Sequence, residues 1–147
     1  MPKHSETIIL PYTAQQLYTL VADGAKYPEF LPWCAAARVR SVTPQGHFSV
    51  MLADLIISFK VFRERFGSEV ILDPGNSRIT SRYIDGPFRH MESVWSFRDV
   101  EGGCEVAFDT DFEFKNPVLQ GLIGLVFNEA MQRIVSAFEH RASDLYD

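Results

Sequence analysis

Side chains capable of acid–base, nucleophilic or metal chemistry are present in this 147-residue chain, but they are not gathered. His4, His47, His90 and His140 lie far apart, and none has a second ligand at the helical or strand spacing that a zinc site uses. Asp109, Asp111 and Glu113 alternate and would share one face of a strand, where a cation could sit. Like charges on the polar side of a half-buried strand read more simply as a solvated outer face. Cys34 is a nucleophile by type, but no His or Asp is placed by the sequence to activate it, so a buried structural thiol is the simpler reading. Nucleophile elbows, Gly-rich phosphate loops and zinc motifs are missing. Arg63, Glu64 and Arg65 interrupt an apolar run, and Glu92 sits among aromatic-rich positions. These are either surface ion pairs or the few polar groups with which an apolar site orients a ligand's oxygen atoms. Binding is expected rather than catalysis: no enzyme, no catalytic residue, no metal and no cofactor.

The segment best suited to meet a ligand is Tyr27-Pro28-Glu29-Phe30-Leu31-Pro32-Trp33-Cys34. Its prolines forbid a long regular helix and bias Tyr27 and Leu31 toward extended geometry. Connecting loops are ordinarily polar, so a loop this apolar must bury its side chains in something. The elements around it say what. Glu6 to Leu10 is a short strand closed by Pro11. Thr13-Ala14-Gln15-Gln16 has capping-box form and starts a helix whose apolar face is Ala14, Leu17, Leu20 and Val21, ended by Asp23-Gly24. A helical turn up to Leu31 and an extended segment from Pro32 are expected next.

From Trp33 to Phe114 the period is two. The expected strands are Trp33 to Thr43, His47 to Ala53, Leu55 to Phe66 ending near Gly67, Val70 to Leu72, Ile79 to Ile84, His90 to Val100 and Cys104 to Phe114. Turns are expected at Pro44-Gln45-Gly46, Asp73-Pro74-Gly75-Asn76, Asp85-Gly86-Pro87 and Glu101-Gly102-Gly103. The last strand alternates most cleanly, with Val106, Phe108, Phe112 and Phe114 on one face and Glu105, Asp109, Asp111 and Glu113 on the other. A bulge in Leu55 to Phe66 would invert its faces. Asn116-Pro117 then opens a helix that can run to about Leu145, roughly 45 Å.

Length and composition bound the class. Residues 1–147 make one domain, large enough to bury roughly 70% of its unfolded-chain surface. A hydrophobic content of 46%, a charged content of 22% and a net charge of -5 suit a globular protein without general attraction for nucleic acid or anionic lipid. No run is long and apolar enough to suggest a transmembrane helix, and the first residues resemble neither a signal peptide nor a transit sequence. Cys34 and Cys104 are expected to be free thiols, and a cytoplasmic location follows.

A long antiparallel sheet with one apolar face must cover it. Strands approaching ten residues twist and curl, and a curled sheet gripping one long helix leaves a space between them. The last helix is uneven. From Val118 to Phe127 it is apolar nearly all round, whereas its second part sets Glu129, Gln132, Arg133, Ser136, Glu139, His140, Arg141 and Asp144 against Ala130, Ile134, Ala137 and Phe138. Gly121 and Gly124 cost about 1 kcal/mol each relative to Ala. They imply either close packing, with a covering loop such as Gly86-Pro87-Phe88, or a movable lid able to touch a membrane or a partner's apolar surface.

The string YPEFLPWC, followed by Asp85-Gly86-Pro87-Phe88, by His90-Met91-Glu92-Ser93-Val94-Trp95-Ser96-Phe97 and by the Asn116-Pro117 helix start, resembles the coenzyme Q-binding branch of the START-like, polyketide cyclase superfamily. The resemblance covers essentially the whole chain. It implies an α+β helix-grip fold of the START/Bet v 1 type: a curved antiparallel sheet of about seven strands around the long C-terminal helix, two short helices after the first strand, and an apolar tunnel. It implies ubiquinone or a related polyprenyl lipid as ligand, support of respiratory electron transport, and a transient contact with a membrane, at its inner face, or a respiratory complex. A related bacterial branch is described as a ribosome-association toxin, which makes the ribosome the alternative partner; a polyketide cyclase/aromatase-type enzyme is a second alternative. The mitochondrial branch carries a transit peptide, so a bacterial protein is expected; DNA is not an expected partner. The lining expected for the tunnel is Phe30, Leu31 and Trp33 from the motif, Phe59, Val61, Trp95, Phe97, Phe108 and Phe112 from the strands, and Leu122 and Val126 from the helix, with Phe88 as a gate. Arg38, Arg40, Arg63 and Arg65 form the patch that could meet RNA.

Overall fold

Period-two patterning is realised as one seven-stranded antiparallel sheet in the order β1-β7-β6-β5-β4-β3-β2. The computed structural model describes residues 3–59 and 62–146, and for Phe59, Phe62 and residues 126–128 the backbone alone. The strands are β1 (Lys3–Leu10), β2 (Cys34–Gln45), β3 (Phe48–Phe59), β4 (Phe62–Asp73), β5 (Arg78–Asp85), β6 (Phe88–Val100) and β7 (Gly103–Phe114). Strands β2 to β7 form a meander, and β1 adds to the free side of β7. Helix α1 (Ala14–Ala22) and a 3₁₀ helix over Gly24–Glu29 carry the chain from β1 to β2 at the far edge. Helix α2 (Pro117–Tyr146) packs against β7, β1 and α1. This is the helix-grip arrangement expected.

Local chemistry sets the helix starts. Thr13 accepts from the Gln16 N–H at 3.1 Å while Gln16 Oε1 accepts from the Thr13 N–H at 2.9 Å, a complete capping box. The α1 face of Ala14, Leu17, Leu20 and Val21 is buried. Asn116 Oδ1 accepts from the Val118 and Leu119 N–H groups at 2.8 and 3.2 Å, and Gln120 Oε1 ties α2 back to the Phe114 N–H at 2.8 Å. On β7, Cys104, Val106, Phe108, Thr110, Phe112 and Phe114 are buried in strict alternation.

Three expectations are corrected. The expected strand Leu55 to Phe66 spans two strands, because the chain reverses between Phe59 and Phe62. β3 instead passes unbroken through Asp54, whose carboxylate lies outside the core and binds Arg40 at 3.2 Å and Arg65 at 2.9 Å. Nor does Gly67 end a strand: β4 continues through it to Asp73 and absorbs the expected Val70 to Leu72. A Cβ on Gly67 would lie 2.5 Å from Asp85 Oδ1 and 3.2 Å from Asp54 Oδ1, so the glycine makes room for the carboxylates that Arg65 bridges. In the apolar motif the expected helical turn is present, with Tyr27 inside the 3₁₀ helix, whereas the segment from Pro32 is not extended at first: Trp33 has a φ of 64° and β2 begins at Cys34. The Tyr27 hydroxyl donates to the Val21 carbonyl, and its ring meets Phe138 edge-on at 5.5 Å. Those tertiary contacts outweigh the bias imposed by Pro28.

Candidate functional site

The inner face of the sheet and α2 do not close fully on one another. Between them lies a cavity of about 200 Å³. β7 contributes Phe108, Thr110, Phe112 and Phe114; β6 contributes Phe88 and Met91. Ile57 of β3 and Glu64 of β4, which pair across the two strands, form a second wall with Trp33. Leu119, Ile123, Ala130, Met131 and Ile134 of α2 form the roof. Period two puts Glu64 on the same face as buried Phe66, Ser68 and Val70, so its side chain faces inward. β4 pairs with β5 only from Gly67 onward, which leaves the Glu64 end of the hairpin beyond the end of β5. Among the described residues, the polar groups of the lining side chains are the Glu64 carboxyl, the Thr110 hydroxyl and the Trp33 indole N–H.

The walls are braced by aromatic contacts. Phe88 is 4% exposed and stacks on Phe114 at 4.6 Å, with Phe66, Tyr83 and Phe112 edge-on at 5.2 to 5.8 Å. Packed among these four rings, it forms part of the cavity wall. Trp95 stacks behind Phe108 at 4.2 Å and meets Phe138 at 5.0 Å, supporting the lining from outside it. Phe97 stacks on Trp95 and meets Tyr18 of α1 edge-on. Phe30 packs on Phe138 at 5.3 Å beneath the Arg141 guanidinium, 5.1 Å from its ring, and Arg141 is held by Glu29 at 3.0 Å. Leu31 is partly buried against the core, and its N–H donates to the Tyr27 carbonyl at 2.8 Å.

Of the residues expected to line the space, Trp33, Phe88, Phe108 and Phe112 do so, while Phe30, Leu31, Trp95, Phe97 and Leu122 stand outside the lining. Val61 and the side chains of Phe59 and Val126 lie outside the described residues. Thr110 was legible as the inward position midway between Phe108 and Phe112. Leu119, Ile123, Ala130 and Ile134 were legible as one stripe of α2. Trp33 carries a φ of 64°, a conformation costly for a bulky side chain. Its carbonyl accepts from the Ser58 N–H at 2.8 Å, which anchors the strained residue to β3 while its side chain lines the cavity.

Gly121 and Gly124 are not there for close packing: a Cβ on either would meet nothing within 4 Å. The outer side of the same part of α2 carries Val118 at 64% exposure and Leu125 at 84%, with Leu122 partly buried between them. Apolar side chains therefore stand both inside and outside this stretch of helix.

The other candidate groups have ordinary roles. His90 Nε2 lies 3.0 Å from Asp111, and Ser5 donates to Asp109 at 2.5 Å. Glu92 faces Arg82 at 3.9 Å on the surface. No group of three or more possible metal ligands occurs among the described residues. Cys34 and Cys104 are free, and burial pushes both thiols above their ordinary value, which disfavours the reactive thiolate. No helix among the described residues is long and apolar enough to cross a membrane.

With this geometry in place, comparison with known proteins is informative. The sequence profile of a family described as polyketide cyclase / dehydrase and lipid transport matches residues 10–139. The ribosome association toxin RatA of Rickettsia prowazekii is 37% identical over 148 residues, covering 99% of each chain. A mitochondrial coenzyme Q-binding protein, COQ10 homolog B of Xenopus laevis, is 32% identical over 98% of this chain and 59% of its own length. A START superfamily protein of Mycobacterium smegmatis superposes with a TM-score of 0.81 at 20% identity, over 97% of this chain and 98% of its own.

Proposed function

The chain belongs to the polyketide cyclase / dehydrase and lipid transport family, and we propose that it is a non-catalytic carrier of a polyprenyl quinone such as ubiquinone, held by its ring and proximal tail under α2. The observation that carries the proposal is the cavity itself, lined by aromatic and aliphatic side chains with Glu64, Thr110 and the Trp33 indole N–H as its polar groups. Among the described residues, nothing in that lining pairs an acid with a base in the way a cyclase needs. Each CH₂ group transferred from water to such a lining contributes roughly 0.8 kcal/mol. The volume of about 200 Å³ lies below the roughly 300–1,000 Å³ of ligand pockets in general, so a long tail extends outside. Val118 and Leu125 on the outer side of α2 offer that tail an apolar path and offer the protein a transient hold on the inner face of the cytoplasmic membrane. The name of the Xenopus relative supports the ligand class. Transfer of ubiquinone from donor to acceptor vesicles tests the reading. The protein should speed transfer in proportion to its concentration, and a rate equal to the protein-free control would refute it.

A second reading, contact with the large ribosomal subunit, is supported by the name of the Rickettsia relative. The charge distribution favours it less. Arg40 and Arg65, two members of the basic patch, are engaged by Asp54 and Asp85, and the net charge is -5. Cosedimentation with 50S subunits at low salt would establish this contact, and its absence there would remove it.

A further inference from the structure

We infer that the cavity selects the reduced, hydroquinone form of its ligand over the quinone, with Glu64 as the specificity-determining residue. The inference rests on the quinone-carrier reading and concerns two of the polar side chains that the lining presents, Glu64 and Thr110. Glu64 faces inward from β4, and no hydrogen bond or ion pair engages it among the described residues. The arginines on either side of it, Arg63 and Arg65, belong to the opposite face by alternation, and Arg65 is occupied by Asp54 and Asp85. Glu64 is therefore a carboxylate on a largely apolar wall with no cation paired to it among the described residues. An ionised carboxylate accepts hydrogen bonds and cannot donate. Thr110, on the facing strand β7, both accepts and donates.

The two redox forms of a quinone headgroup differ in this respect. A quinone presents carbonyl oxygens, which only accept. Against an ionised Glu64 they place lone pairs against lone pairs, and the donors the lining offers them are the Thr110 hydroxyl and the Trp33 indole N–H. A hydroquinone presents hydroxyl groups, which donate to the carboxylate and exchange hydrogen bonds with Thr110. A hydrogen bond to a charged acceptor in an apolar site is worth roughly tenfold or more in affinity. The same arithmetic links affinity to potential: a tenfold preference for the reduced form raises the midpoint potential of the bound two-electron couple by about 30 mV. A carrier built in this way loads where quinol is made and releases its cargo on oxidation.

The test uses decyl-ubiquinone and its chemically reduced hydroquinone as probes, with anaerobic equilibrium binding to the full chain, Glu64→Gln and Glu64→Leu. Thermal melting of the variants establishes that they fold. The wild-type protein should bind the hydroquinone roughly tenfold or more tightly than the quinone. Glu64→Leu should bring the two affinities to within about threefold, and Glu64→Gln, whose amide both donates and accepts, should gain affinity for the quinone. Equal binding of both forms by the wild-type protein, or a preference that persists in Glu64→Leu, overturns the inference and leaves the carrier reading standing. Binding of neither form overturns both.

Discussion

Replacing Gly121 and Gly124 together by alanine should stabilise the protein by about 2 kcal/mol. Both glycines lie within α2, both are exposed, and an added methyl at either meets open space. No steric cost therefore offsets the gain in helix propensity, which is about 1 kcal/mol per glycine, plus the reduced freedom of the unfolded chain. For a domain of this size the melting temperature should rise by roughly 4–8 °C. The effect should also be local. The same part of α2 supplies Leu119 and Ile123 to the cavity roof, so its transient unfolding opens the site. About 2 kcal/mol corresponds to roughly a 30-fold smaller open population. Amide hydrogen exchange over residues 119–125 should slow by about that factor, and release of a bound lipid should slow with it. Urea unfolding of the single and double variants, with exchange read by mass spectrometry, measures both. A loss of stability would show that the methyl groups collide, contrary to the open space around these glycines. Slower exchange with an unchanged lipid off-rate would show that the ligand leaves by another route.

Trp33→Ala should weaken binding of a decyl quinone by tenfold or more, whereas Phe30→Ala should leave binding nearly intact and cost about 3 kcal/mol of stability, because Phe30 packs on Phe138 outside the cavity. Trp33→Gly should be more stable than Trp33→Ala by about 1 kcal/mol, since the backbone there has a positive φ; equal stabilities in urea would show that the strain is absent. Gly86 has a φ of 137°, and a Cβ there would stand 2.6 Å from the Phe66 Cβ and 2.7 Å from the Arg65 carbonyl, so Gly86→Ala should destabilise by at least about 2 kcal/mol in the same assay. Burial, followed by Cys34 and Asp23, holds the Tyr27 phenol well above its usual range. The folded state then keeps a proton that the unfolded chain gives up above about pH 10. Stability should fall as pH rises from there, and Tyr27→Phe should remove about 1.4 kcal/mol per pH unit of that slope; an unaltered slope in denaturant titrations at pH 10 to 11 would contradict the assignment.

The parts of the fold that were legible in the sequence are those in which one local rule acts alone. β7 alternates without a break, Thr13 and Gln16 cap one helix, and Asn116-Pro117 starts the other. The β3–β4 hairpin was not legible, because β3 ends at Phe59 and β4 begins at Phe62 within an apolar run that has no Gly, Pro, Asn or Asp to mark a reversal. Gly67 misled for the complementary reason. It reads as a turn residue, but its lack of a side chain serves an ion-pair network formed by Arg40, Asp54 and Asp85, which lie on other strands. Assignment of the site followed the same division. Phe108 and Phe112 lie on the clean strand and line the cavity, whereas Phe30 and Trp95 are equally aromatic and pack against Phe138 instead. Which apolar side chain faces a void and which faces another ring is decided by how α2 crosses the sheet, and periodicity carries no information on that. Glu64 shows what a single sequence does reveal: a charge in an apolar run, either on the surface or turned inward. The uninterrupted β3–β4 register turns it inward.

The central claim is that the space under α2 holds an apolar lipid, and the most direct measurement is organic extraction of the protein purified from quinone-producing cells, followed by mass spectrometry. The account predicts a polyprenyl quinone or quinol in the extract, strongly depleted in Trp33→Ala at equal protein. An extract free of quinone and every other lipid, from protein that melts cooperatively, would contradict it.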